Sequence, residues 1–401
     1  MTAHTPESRY AWQRLCASVL IGTTGAVGLW SAIVALPAVQ ADFGVDRGSA
    51  SIPYTTTMIG AALGGVLMGR IADRRGIVLP IVIGGLALGS GYAIASYATS
   101  IWQFAIVQGL LIGFLGSAAV FGPLIADISH WFVRNRGKAV AICASASYLA
   151  GTVWPPIIEH AISTWGWRAT HLGIGAFCVA VMLPLSLYLR PRAPVQHEPQ
   201  AAVSVRSALR VSPNLVQIML VIAGFSCCVA MSMPQVHIVA YCGDLGYGPA
   251  RGAEMLSLML GFGVVSRLVS GWISDRIGGV PTMLVGSALQ CLALVFYLPF
   301  DGLVSLYIVS ALFGLSQGGI VPSYAMIVRE YFPAQDVGAR FGTVLMATII
   351  GMAAGGWMSG AVFDWTGSYQ AAFLNGILWN LLNASIALWL LRQPRGRPVH
   401  A

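Results

Sequence analysis

An eight-residue stretch, GRIADRRG at residues 69–76, returns as GWISDRIG at residues 271–278. Each copy lies between apolar runs of about twenty residues, the length that crosses a bilayer as a helix. In such a turn glycines allow close helix contact, and the acid accepts hydrogen bonds from the N-terminal end of a neighbouring helix. One copy would equally fit a plain basic loop, but two matched copies predict a conformational gate. Its residues are Gly69, Asp73, Arg74, Gly76, Gly271, Asp275, Arg276 and Gly278.

The composition extends this pattern to the whole chain. Of the 401 residues, 57% are hydrophobic and only 9% are charged, whereas charged residues make up about a quarter of a soluble protein. The sequence therefore predicts an all-α integral membrane protein. Its twelve predicted transmembrane helices cover residues 15–38, 51–71, 77–97, 101–126, 137–160, 169–190, 213–240, 254–274, 281–299, 303–328, 338–363 and 370–391.

The twelve predicted spans fall into two pseudo-symmetric sets of six. Residues 191–212 hold prolines and small polar residues without apolar periodicity. We therefore expect a cytoplasmic linker between an N-terminal bundle, residues 1–190, and a C-terminal bundle, residues 213–401. Trp131-Phe132 returns as Tyr331-Phe332, which supports duplication of a six-helix unit. Glycine runs in spans two and eleven predict close packing where the two halves meet.

The positions of the basic residues predict the orientation. Of the 22 Lys and Arg residues, eighteen lie on the side of the N-terminus and one lies within a span, while Arg47, Arg168 and Arg251 lie on the other side. Because basic loops stay in the cytoplasm, both termini are expected there, with the protein in the cell (inner) membrane. The same distribution accounts for the formal net charge of +8 without a nucleic-acid partner.

The twelve spans, the linker and the repeated turn resemble the major facilitator superfamily of secondary transporters over nearly the whole chain. A further set of residues makes the resemblance narrower: Phe121-Gly-Pro123, Trp131-Phe132, Arg136-Gly137-Lys-Ala139, Gly151, Trp154-Pro155, Gly166-Trp-Arg168, and Arg267 with Gly271 four residues later. These residues resemble the monocarboxylate transporter family, which implies transport of a small organic monocarboxylate by rocker-switch alternating access.

Arg267 is the predicted substrate-binding residue because a charged residue inside a span is costly, about 2.5–3.5 kcal/mol on insertion scales. Helical side chains lean toward the N-terminus of their helix, which for span eight points away from the cytoplasm and opposes snorkelling. Asp127 and Glu159 lie near span ends, so we expect the substrate carboxylate to pair with the planar guanidinium. In the family resembled, the matching arginine binds the anion. A structural pairing and a gating role are the alternatives.

Other candidates lie on spans that face the cavity in this superfamily. The further predicted substrate contacts are Phe121, Tyr148, Gln317 and Tyr324, although ordinary packing would explain each of them alone. His237 follows Pro234, whose ring is expected to disrupt span seven. A histidine there can titrate near neutral pH and is the predicted proton-coupling residue. A histidine bonded at the water interface is the alternative.

Two departures from the family pattern affect the mechanism. Animal relatives carry an acid four residues before the span-eight arginine and a lysine after the span-one proline, where this chain has Gly263 and Ala38. Proton symport could therefore run through His237, through the substrate carboxylate, or be absent. A single intramembrane cation favours a monoanion.

Other classes of function fit the sequence less well. An efflux antiporter for drugs or metabolites would need a buried acid in the N-terminal half, and an organic-anion exchanger is a further alternative. The sequence has no P-loop and no metal-ligand spacing, so neither an enzyme nor a cofactor or metal is expected. The expected partners are a small organic anion, a proton under symport, and the lipid bilayer, around a monomer.

Overall fold

The regular structure of the protein is helical. The computed structural model describes residues 7–191, 212–332 and 336–393, and no strand occurs in these ranges. Eleven helical stretches in the described chain are long and apolar enough to cross a membrane. The longest of them, Arg136–Tyr188, has 53 residues and turns at Gly166, where φ is 78° and ψ is 160°. Because this stretch supplies two spans, the described ranges hold twelve, which confirms the prediction.

The chain forms two compact units, each described here by itself. Among the described residues, unit 1 consists of those within 1–198 and 239–257, and unit 2 of those within 199–238 and 258–401. The predicted linker, residues 191–212, lies outside the described residues except for its two ends. The segment 239–257, which the sequence groups with the second set of spans, is thus part of unit 1.

The first six spans are built from eight α-helices in the described residues. These are α1 (Arg9–Gly25), α2 (Val27–Phe43), α3 (Arg47–Arg75), α4 (Val78–Ser96), α5 (Ile101–Val107), α6 (Gly122–Ser129), α7 (Arg136–Ala144) and α8 (Ala146–Tyr188). Span four is irregular, because a π-helical segment, Gln108–Gly116, and a 3₁₀ turn, Ser117–Ala119, separate α5 from α6. Single π turns often mark functional sites, and a nine-residue segment is unusual.

In the part of the chain that the structure describes, the last six spans are built from seven α-helices. These are α9 (Pro213–Asp244), α10 (Pro249–Ile277), α11 (Gly279–Phe296), α12 (Leu303–Gln317), α13 (Ile320–Tyr331), α14 (Val337–Thr366) and α15 (Tyr369–Arg392). The expected disruption at Pro234 is wrong, because α9 continues through it. The ring removes one backbone donor, which a long helix held by its neighbours tolerates.

Glycines set the close contacts inside each unit. A Cβ at Gly64 would lie 2.7 Å from the Phe114 carbonyl carbon, so α3 packs directly on the π-helical segment. A Cβ at Gly351 would lie 3.0 Å from the Phe225 carbonyl carbon, so α14 packs on α9. The glycine runs that the sequence assigns to the meeting of the two halves therefore make these contacts within a half.

Candidate functional site

Arg267 lies where the end of α12 packs closely against α10. Its side chain is half-buried, and its Nε atom is fully buried. A Cβ at Gly318, just past the end of α12, would lie 2.7 Å from the Arg267 backbone nitrogen. Ser266 donates to the Leu315 carbonyl at 2.6 Å and tightens the same contact. Gln317 is therefore held at the level of the arginine.

Gln317 is the predicted contact that the structure brings to this place. It is fully buried, and its Oε1 accepts a hydrogen bond of 2.5 Å from Nε2 of Gln235 on α9. The Gln317 Nε2 group is also buried, and it has no hydrogen-bond partner in the described part of the chain. A guanidinium and an amide NH₂ are both donors, so this end of α12 suits an anionic oxygen. The sequence reasoning missed Gln235, although a glutamine inside an apolar span is itself a signal.

Tyr324 lies in the packed core of unit 2. Its hydroxyl is 3.0 Å from Oδ1 of Asn383 on α15 and 3.3 Å from the Cys227 sulfur. The Asn383 amide donates in turn to Ser287 at 3.1 Å. This network ties α13 to α9, α11 and α15. The substrate-binding role of Tyr324 stays a prediction, but the structure already gives its hydroxyl partners inside the bundle.

His237 is fully buried rather than placed at a water interface. Its Nε2 lies 2.8 Å from the Gly356 carbonyl on α14, and its ring centre is 5.8 Å from that of Tyr369. Because a carbonyl only accepts, Nε2 carries a hydrogen and donates it. His237 follows Gln235 by two residues, roughly 200° around the helix. It therefore faces away from the side of α9 that contacts Gln317.

The remaining predicted contacts belong to unit 1. Phe121 stands between the 3₁₀ turn of span four and α6, and 42% of its surface is exposed. Tyr148 lies in the first turn of α8 and is half-buried. Both are on spans predicted to face the cavity, and their contact with substrate stays a prediction.

The two gate turns have the same backbone shape. Gly76 has φ 85° and ψ 166°, and Gly278 has φ 89° and ψ 170°. Each glycine donates its N–H to the residue four places earlier, at 2.8 and 2.9 Å. Asp73 and Asp275 are both exposed in the described structure. The final glycine of the motif is thus required, because any residue with a side chain would be strained in this backbone conformation.

The two repeats differ just beyond these turns. In unit 2, Oε1 of Glu330 accepts the Gly279 N–H at 2.9 Å and caps the start of α11. In unit 1, both oxygens of Asp127 lie 2.8 Å from the guanidinium of Arg14, in a bidentate pair. The sequence reasoning did not foresee either contact, since the repeat spacing pairs neither acid with its partner.

Unit 1 also contains polar contacts to its 239–257 segment. Arg47, at the start of α3, lies 3.2 Å from Asp244 at the end of α9. Ser257 on α10 donates to the Thr152 carbonyl on α8. Asp46 caps α3 by accepting the Ser49 N–H at 2.7 Å, and this hydrogen bonding to Ser49 lowers the pKa of Asp46.

Twelve helical spans in two repeated sets, with a cation inside the eighth, define a membrane transport protein. The family model of the Major Facilitator Superfamily matches residues 18–305 and 251–401, and the chain belongs to this superfamily. It is 28% identical to monocarboxylate transporter 13 of Bos taurus over 81% of this chain and 75% of that protein. It is 25% identical to the uncharacterized MFS-type transporter YcxA of Bacillus subtilis over 86% of both chains. The crystal structure of the nucleoside transporter NupG shares the fold, with a TM-score of 0.75 at 16% identity, over 94% of this chain and all of that one.

Proposed function

We propose that this transporter carries a small organic monocarboxylate, together with a proton, across the inner membrane by rocker-switch alternating access. Arg267 binds the substrate carboxylate, and Gln317 donates a second hydrogen bond from α12. The protein works as a monomer. Both of its termini lie in the cytoplasm, as the distribution of its basic residues favours.

The observation that supports this proposal most is the donor pair at the contact of α10 with α12. The guanidinium of Arg267 has a buried Nε, and the amide NH₂ of Gln317 is buried one residue before the glycine that contacts the Arg267 backbone. Two such donors favour an anionic acceptor. The names of relatives such as monocarboxylate transporter 13 favour the same substrate class.

The binding claim is tested by thermal unfolding of the purified full-length protein with monocarboxylates, dicarboxylates and cationic drugs. A ligand that binds only the folded state stabilises it by about 2.7 kcal/mol at 100 times its Kd. We expect a monocarboxylate to raise the midpoint in the wild type but not in Arg267→Ala. Arg267→Lys keeps the charge but lacks the planar guanidinium, so we expect the monocarboxylate to raise the unfolding midpoint less than in the wild type.

Arg251→Ala is the matched control, because it removes an exposed arginine from the same helix. Its response to the monocarboxylate should equal that of the wild type. A full shift in Arg267→Ala would overturn the assigned site. A response to cationic drugs alone would instead favour efflux of amphipathic compounds.

A further inference from the structure

Unit 1 contains a cavity of about 510 Å³ between the gate turn and the ends of spans one, four and six. Its charged lining comprises four arginines and two aspartates, with His130 beside them. The lining therefore carries a net charge of +2 with the histidine neutral. The charged residues are Arg14, Asp73, Arg74, Arg75, Asp127 and Arg190.

The charge at the floor of the cavity is already neutralised by an internal ion pair. Arg14 is fully buried and holds Asp127 through two hydrogen bonds of 2.8 Å. Its guanidinium also donates to Tyr10 and to the Pro191 carbonyl, and it stacks 4.7 Å from the ring centre of Trp131. The positive charge that remains belongs to the exposed rim, which holds Asp73 and three arginines.

The start of α4 opens into the same cavity. Gly76, Ile77 and Val78 line it, and Ile77 gives α4 no side-chain capping bond in the described structure. The first N–H groups of a helix carry positive charge and need an acceptor. α4 has 19 residues, and the start of a helix of this length binds anions in other proteins.

The second repeat shows what is missing from the first. His130-Trp131-Phe132 returns 200 residues later as Glu330-Tyr331-Phe332. Glu330 supplies the carboxylate that caps α11, whereas a histidine stands at its place in unit 1. The first repeat thus replaces an internal anion with a basic residue, and it surrounds the uncapped helix with arginines.

We propose that this cavity binds a phosphate group, which takes the place beside α4 that Glu330 occupies beside α11. Arg74, Arg75 and Arg190 suit phosphate because guanidinium groups bind its oxygens in pairs. The phosphate belongs to an anionic phospholipid or to soluble phosphate. Basic pockets between spans on the cytoplasmic side bind lipid headgroups of this kind. This site lies wholly in unit 1 and is independent of the role of Arg267.

The test uses the purified full-length protein in detergent with three probes: phosphatidylglycerol, phosphatidylcholine and inorganic phosphate. Thermal unfolding midpoints are measured across a titration of each probe. We expect phosphatidylglycerol to stabilise the wild type and phosphatidylcholine to leave it unchanged. In the double variant Arg75→Gln/Arg190→Gln, the affinity for phosphatidylglycerol should fall by roughly 30-fold, as expected for the loss of two basic side chains at an anionic surface.

Two further variants separate the site from general electrostatics. His130→Glu copies the second repeat, so it should raise the midpoint without added probe and abolish the response to phosphatidylglycerol. Arg276→Gln/Arg329→Gln removes two exposed arginines from the other repeat, where Glu330 already caps the helix, and should respond like the wild type.

The outcomes are distinct. Stabilisation by inorganic phosphate that is lost in His130→Glu supports the phosphate site with a soluble source. Stabilisation by phosphatidylglycerol alone supports a lipid source. The proposal would be overturned if Arg75→Gln/Arg190→Gln and Arg276→Gln/Arg329→Gln lost the same affinity for the anionic probe. An unchanged response in His130→Glu, or no response of the wild type to either anion, would also overturn it.

Discussion

The amide of Gln317 allows a sharp test at the scale of one side chain. Its Nε2 is buried, and Gln235 occupies only its oxygen. If Nε2 donates to the substrate carboxylate, Gln317→Leu removes a hydrogen bond to a charged group. Such bonds contribute about 1.5–3 kcal/mol, so affinity should fall by roughly 10- to 150-fold. Isotherms of monocarboxylate binding to the purified protein measure this loss.

Gln290→Leu is the control for that substitution. Gln290 is another fully buried glutamine of unit 2, and it donates to the Cys227 carbonyl at 3.3 Å. Its replacement should lower stability but leave the affinity of the folded protein unchanged. Equal affinity losses in both variants would show that Gln317 acts through packing alone.

Single residues also show where sequence reasoning stops. Arg267 is predictable because its charge interrupts an apolar run, and that signal is independent of neighbouring helices. The partners of Gln317 and Tyr324 depend on how α9, α12 and α15 rotate against one another. Periodicity in spans that are apolar on most faces says little about rotation. Tyr324 thus looks like a cavity residue in the sequence, while its hydroxyl bonds Asn383 in the core.

Among the structural elements, the gate turn predicts opposite effects for its two glycines. Gly76 and Gly278 have φ near +85° with extended ψ, a region that costs other residues about 1–3 kcal/mol. Gly69 and Gly271 are helical, and an added Cβ there would meet no atom within 4 Å in the described structure. Gly76→Ala and Gly278→Ala should therefore lower the unfolding midpoint, whereas Gly69→Ala and Gly271→Ala should keep or raise it.

Thermal unfolding of the four alanine variants in detergent checks this ordering. A destabilised Gly69→Ala would mean that the first glycine makes a close contact in another state, as the motif itself favours. Tolerance of Gly76→Ala would mean that the turn relaxes to a negative φ.

The sequence predicts that these helices exist, but it does not predict where they become irregular. Each apolar run became a span, because length and hydrophobicity alone decide whether a helix crosses the bilayer. The π-helical segment of span four has no comparable signal. It depends on backbone packing between Gly113 and Thr57, where an added Cβ would lie 3.0 Å from the Thr57 Cα. Pro234 shows the opposite case, since tertiary packing keeps α9 continuous.

For the whole molecule, internal duplication explains both the success of the sequence analysis and its gaps. Landmarks repeated at about 200 residues identify two six-helix sets, because duplicated units retain the same turns. Duplication does not predict where the copies diverge. His130 and Glu330 hold matched places with opposite chemistry, and the segment 239–257 joins unit 1 through pairs such as Arg47 with Asp244.

Proton coupling is a property of the whole transport cycle, and His237 offers a direct test of it. Its Nε2–H is donated to Gly356, so Nδ1 is the atom that can take up a proton between α9 and α14. His237→Gln keeps a donor for that carbonyl but cannot titrate near neutral pH. In proteoliposomes with an acidic exterior, the wild type should accumulate a labelled monocarboxylate above its external concentration, and a protonophore should abolish this. His237→Gln should equilibrate the substrate without accumulating it, while His237→Leu should also lose stability. Undiminished accumulation by His237→Gln would leave coupling to the substrate carboxylate, because no proton on the imidazole would then be needed.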